Sequence, residues 1–170
     1  TARAYRECAV TLAAVGGLEL DYESFGHADA PSILLIMGLG MQLVAWPDAF
    51  CQGLIERGFR VIRFDNRDSG LSTKIRVRRQ PNILAALAVS WLRLPVRSPY
   101  TLDAMAAYAF GLLHALDLPR AHVVGLSMGG MIAQIVAATY PDRVLTLTSI
   151  MSSSGSRKVS QPRPDAKRAL

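Results

Sequence analysis

At 170 residues with 51% hydrophobic side chains, the chain has the size of one domain and enough apolar material for a sizeable core. It contains no run of eighteen apolar residues and so offers no helical membrane span. The formal charge of +6 is local: Lys74, Arg76, Arg78 and Arg79 carry +4 in one short loop, the tail from Arg157 to Leu170 another +4, and the rest sums to −2, which argues against a nucleic-acid-binding face.

The first apolar stretch, Cys8 to Val15, reads as a strand rather than a worn signal peptide, because a Gly16-Gly17 turn and a second strand, Leu18 to Phe25, complete a hairpin. Ser32 to Met37 is wholly apolar between Pro31 and Gly38, the pattern of a strand buried on both faces. A helix is expected over Pro47–Arg57, stopped by Gly58, followed by an alternating strand, Phe59 to Phe64, and a turn-rich loop, Asp65 to Gly70. Pro81 to Leu94 reads as a short apolar helix, with Pro95 and Pro99 as breakers. Thr101 caps a helix reaching Leu118, whose stripe is Leu102, Met105, Leu112, Leu113 and Leu116. Ala121–Val124 is a strand, Met128–Thr139 a helix and Val144–Ile150 a last strand. Strands alternating with helices predict an α/β fold with a mostly parallel sheet and an antiparallel hairpin at one edge. Residues 1–150 form the core, and 151–170 turn polar and proline-rich. Cys8 and Cys51 lack metal or redox spacing and read as reduced core thiols, consistent with a cytoplasmic setting.

Between a strand and a helix lies Gly125-Leu-Ser-Met-Gly129, a G-x-S-x-G pattern. The bare pattern recurs by chance in about one chain in twenty of this size, so its weight comes from the strand–turn–helix context. A sharp turn there lifts Ser127 above the carboxyl edge of the sheet as a nucleophile, at some backbone strain. Strand and helix then pass so closely that positions 125 and 129 must lack side chains. The helix start places the Met128 N–H where it can meet an oxyanion. Met37-Gly-Leu-Gly40 follows a buried strand and supplies a second candidate donor, the Leu39 N–H, with Gly38 and Gly40 letting the chain bend.

These three stretches, Met37–Gly40, Asp65-Asn-Arg-Asp-Ser-Gly-Leu-Ser72 and Gly125–Gly130, together resemble the α/β-hydrolase superfamily. Ile36-Met-Gly, Trp46-Pro, Val61-Ile-Arg-Phe-Asp-Asn-Arg-Asp68 and His122-Val-Val-Gly-Leu-Ser-Met128 point to its aclacinomycin methylesterase-like and haloperoxidase-like branch. The resemblance implies a cofactor-free, metal-free serine hydrolase acting on small-molecule carboxylic esters through an acyl-enzyme, without nucleic-acid or membrane partners. Carbon–carbon bond hydrolysis and cofactor-free perhydrolysis share the same constellation and stay open, whereas haloalkane dehalogenation needs Asp at position 127. Met37 stands where the family usually has a loop His.

Family triads run Ser, then Asp or Glu, then His. His27, His114 and His122 all precede Ser127, and each reads as a surface or packing residue. Asp142 reads as a turn residue and Asp165 as part of the tail, so neither joins the triad. The expectation is therefore a chain truncated after about the sixth strand and inactive alone, with acid and base supplied further on. A catalytically inactive pseudoenzyme is the alternative. Arg67 and Asp68 are expected to fix their loop through ion pairs, with a direct substrate role as the alternative, and Asn82 to Leu94 either lines the pocket or simply packs.

Overall fold

One six-stranded sheet organises the computed structural model, which describes residues 11–75 and 98–156. In chain order the elements are β1 (Thr11–Val15), β2 (Leu18–Phe25), β3 (Ser32–Ile36), α1 (Asp48–Ile55), β4 (Arg60–Phe64), α2 (Leu102–Ala115), β5 (Ala121–Leu126), α3 (Met128–Thr139) and β6 (Val144–Ile150). Their order across the sheet is β1-β2-β4-β3-β5-β6. The strands β4, β3, β5 and β6 pair in parallel, and the β1–β2 hairpin adds antiparallel strands at one edge. The α/β expectation holds. The expected helix over Pro81–Leu94 and the basic tail lie outside the described residues, as does Cys8.

The apolar run in β3 has a direct structural cause. Successive side chains alternate faces, and both faces are covered. Leu34 and Ile36 join Ile62, Phe64 and Val123 beneath α2 and α3, against Met105, Ala109, Leu112, Leu113, Ile132 and Val136. Ile33, Leu35 and Met37 point the other way, toward Val61, Trp46 and Cys51 on the α1 side. Of the predicted α2 stripe, Met105, Leu112 and Leu113 are buried, while Leu102 and Leu116 pack at its margin. Thr101 caps α2 as expected, its hydroxyl accepting the Ala104 N–H at 3.2 Å.

β4 is a strand as expected, and it carries a charge into the interior. Arg63 is only 4% exposed. It donates to the Glu23 carboxylate at 2.6 Å, to Asp48 at 3.0 Å and to the Trp46 carbonyl at 2.7 Å, and it lies over the Phe25 ring. β4 is flanked by strands on both sides and covered by α1, so its charge is paired inside the fold rather than solvated. Among the described residues no helix is long and apolar enough to cross a membrane.

Candidate active site

The parallel strands end together at one edge of the sheet, and Ser127 stands there alone between β5 and α3. Its backbone lies at φ 55°, ψ −121°, a left-handed conformation that costs a non-glycine residue about 1–3 kcal/mol. Three backbone bonds hold it. The Ser127 N–H donates to the Ile150 carbonyl at 2.9 Å, and the Ser127 carbonyl accepts the Gly130 and Met131 N–H groups at 2.9 and 3.3 Å. The residue is exposed and its hydroxyl makes no helix-capping bond, so it is not a capping serine.

The flanking glycines answer to close backbone contacts. A Cβ on Gly125 would sit 2.2 Å from the Gly129 carbonyl oxygen, and one on Gly129 would sit 2.1 Å from the Ile36 oxygen. Position 129 is thus constrained by the neighbouring strand β3, in addition to its own turn. At Met37–Gly40 the two glycines play different parts. Gly40 has φ +70° and makes the bend, whereas Gly38 permits close approach, since a Cβ there would be 3.2 Å from both the Leu126 oxygen and the Ser127 Cβ. Met37, at the position usually held by His, is buried in the α1-side core.

Leu39 and Met128 both border the clefts at this edge. One, of about 490 Å³, is lined by Leu39, Ser127, Met128, Met131, Met151 and Ser152, among others. A second, of about 470 Å³, continues from Leu39 and Met128 toward Ile75, Pro99, Leu102 and Met105. Met128 opens α3, where backbone N–H groups have no carbonyl one turn back to bond. Such a helix start offers donors and the positive end of the helix dipole.

Arg67 and Asp68 hold their loop differently from the expected ion pairs. Arg67 donates to the Tyr108 hydroxyl at 2.8 Å and lies over the Tyr100 and Tyr108 rings. Asp68 takes φ 67° and accepts the Ile75 N–H. Among the described residues the ion pairs of arginine belong to Arg63 instead. Aromatic faces from α2 and the segment before it reach the guanidinium first, which sequence order does not disclose. Burial, then the Asp68 carboxylate, push the Tyr100 hydroxyl up to about 12, against the opposing charge of Arg67. Tyr100 stays a neutral donor at ordinary pH, with its hydroxyl 3.4 Å from the Arg67 carbonyl.

The three histidines sit at the opposite edge. His122 begins β5, five residues and therefore about 16 Å before Ser127. Its Nδ1 is 2.8 Å from the Thr146 hydroxyl and its ring meets Phe59 edge-on. His27 follows the end of β2, which pairs with the start of β4, and lies 3.7 Å from Asp29. His114 is exposed in the last turn of α2, just ahead of β5. Asp142 is exposed in the 3₁₀ turn that leads into β6, at this same edge. None of the four is placed to serve Ser127, in keeping with the reading of them as surface and packing residues. Asp165 and the 82–94 stretch lie outside the described residues.

Residues 31–168 match a family model described as the alpha/beta hydrolase fold. The chain is 35% identical over 127 residues to rhodomycin D methylesterase DnrP of Streptomyces peucetius, which covers 75% of this chain and 36% of that protein. A solved hydrolase from Pseudomonas aeruginosa superposes with a TM-score of 0.67 at 30% identity, over 93% of this chain and 49% of that one. An enol-lactonase from Burkholderia xenovorans does so with a TM-score of 0.66 at 30% identity, over 88% and 50% respectively. The chain thus spans between about a third and a half of the length of these relatives.

Proposed function

Because the chain belongs to the α/β-hydrolase fold family, we propose that the full protein is a serine hydrolase of small carboxylic esters working through an acyl-enzyme. The observation that carries this reading is Ser127 itself, exposed and strained at the one turn that joins β5 to α3. The hydroxyl oxygen attacks the ester carbonyl carbon, and the carbonyl π pair moves onto oxygen. The Leu39 and Met128 N–H groups donate to that oxyanion. Collapse of the tetrahedral intermediate expels the alcohol, which takes the proton removed from Ser127, and water then releases the acid by the same steps.

The proton must pass through a base, and the histidines of these 170 residues lie along the far edge of the sheet. On this reading the base and its acid partner come from outside these 170 residues, and a serine without them stays protonated and unreactive. The relatives' names, a methylesterase and an enol-lactonase, agree with ester and lactone carbonyls as targets. The apolar lining of both clefts favours substrates with an apolar limb on either side of the carbonyl.

Turnover of p-nitrophenyl esters by the full-length protein tests the reading. Ser127→Ala is expected to lower kcat by at least about 10⁴-fold, since removing a nucleophile disables the whole relay. Unchanged turnover in that variant would remove Ser127 from the chemistry.

A further inference from the structure

The segment from Met37 to Leu43 has no strand or helix of its own to fix it until the 3₁₀ turn at Leu43–Ala45. It is tied at three points to one other loop. The buried Asn66 side-chain amide donates to the Met37 carbonyl at 3.0 Å. The Ser69 hydroxyl donates to the Met41 carbonyl at 2.8 Å. The Leu43 N–H donates to the buried Asp65 carboxylate at 2.7 Å. The attachments fall on both sides of Leu39, two residues before it and two and four after it.

The loop that makes these ties is itself rooted in the sheet. The Asp65 N–H donates to the Asp21 carbonyl of β2 at 2.9 Å, and the Ser72 hydroxyl donates to the Asp65 carbonyl at 2.6 Å. The second oxygen of the Asp65 carboxylate accepts the Leu71 N–H at 2.9 Å. Gly70 turns tightly around that carboxylate: a Cβ at position 70 would lie 1.4 Å from it. A rigid base, a buried anion and two side-chain donors thus converge on a peptide segment whose own side chain, Leu39, is 78% exposed.

We propose that the Asp65–Ser69 loop sets the Leu39 N–H at the oxyanion, with Asn66 and Ser69 as positioning residues for catalysis. This rests on the reading of Leu39 as an oxyanion donor. Neither side chain touches substrate; each fixes the peptide plane on one side of the donor. Misplacing a catalytic group by about 1 Å can cost on the order of a hundredfold in rate. The Arg67 side chain of the same loop turns away to Tyr100 and Tyr108 and is not part of this device.

The test uses the full-length protein with four variants and a trifluoromethyl ketone, which forms an oxyanion on the nucleophile. Asn66→Ala removes the donor without adding a charge beside Asp65; it is expected to lower kcat tenfold or more with KM changed less than threefold. Ser69→Ala is expected to lower kcat three- to tenfold, and Ser69→Thr, which keeps the hydroxyl, to restore it. Ketone affinity should fall in step with kcat in each variant, while thermal midpoints of the Ser69 pair stay within a few degrees. Loss of kcat without loss of ketone affinity, an effect confined to KM, or a Ser69→Ala enzyme with wild-type kcat overturns the assignment. Ser127→Ala runs beside them: if it keeps turnover, the serine-hydrolase reading itself has failed, whereas its inactivity alongside unaffected Ser69 and Asn66 variants sinks the positioning role alone.

Discussion

A serine held at φ 55° stays there only if its surroundings fix it more firmly than strain pushes back, and here three backbone bonds and the side-chain-free positions 125 and 129 do so. Gly125→Ala drives a methyl group into the Gly129 carbonyl oxygen, a backbone contact that cannot yield without parting α3 from β5. Its expected cost is on the order of 3 kcal/mol, the upper end for overpacking, read by urea denaturation. Gly58→Ala meets open space at φ +85° and is expected to cost only about 1 kcal/mol of left-handed strain. Equal costs would mean that the turn is not close-packed. Asp21 gives a second, pH-dependent prediction. Burial, then the Asp65 and Glu23 carboxylates, raise its pKa above the ordinary aspartate value. A carboxyl raised on folding favours the fold while protonated and loses that contribution as pH rises through its folded pKa. Asp21→Asn should therefore raise Tm at pH 7, and the gain should shrink as pH falls toward 4; a gain independent of pH contradicts the assignment. Ser127 and its glycines were legible in sequence because their chemistry is local. The burial of Arg63 was not, because its partners Glu23 and Asp48 come from two other elements and only the sheet order brings them in.

At the scale of elements, boundaries followed local physical signals. α3 runs from Met128 to Thr139 and β6 from Val144 to Ile150, as the apolar pattern predicted, and α2 begins after the Thr101 cap. Thr101→Ala should destabilise the fold by about 1 kcal/mol, the usual value of an N-cap hydroxyl, in chemical denaturation. No change in stability would mean that water replaces that bond without loss. Periodicity was less informative for β4, whose two arginines, three residues apart, point to opposite faces of the strand. Covering the Arg63 face is α1, a fact about packing that no window of the sequence contains. The Asp65–Ser69 loop shows the same limit: its turn chemistry was readable, but its three ties to residues 37–43 join segments over twenty residues apart.

On the scale of the molecule, helices cover both faces of the sheet and all four parallel strands deliver their carboxyl ends to one edge, where loops from β3, β4 and β5 meet. That convergence brings three separated motifs to one edge of the sheet. At the sheet's margin β6 pairs only with β5 among the described strands, and Leu145 and Leu147 are 44% and 41% exposed. Apolar, β-branched edges invite strand addition. The 170-residue chain alone is expected to self-associate with rising concentration in sedimentation velocity, and Leu147→Lys to suppress this; a monomer at all concentrations contradicts it.

The most direct test of the central claim is covalent labelling of the full-length protein with a fluorophosphonate, followed by peptide mass spectrometry. A single adduct on Ser127, absent after Ser127→Ala and outcompeted by an ester substrate, is the predicted result. An adduct on another residue, or labelling that persists in Ser127→Ala, would contradict the assignment of the β5–α3 turn as the nucleophile.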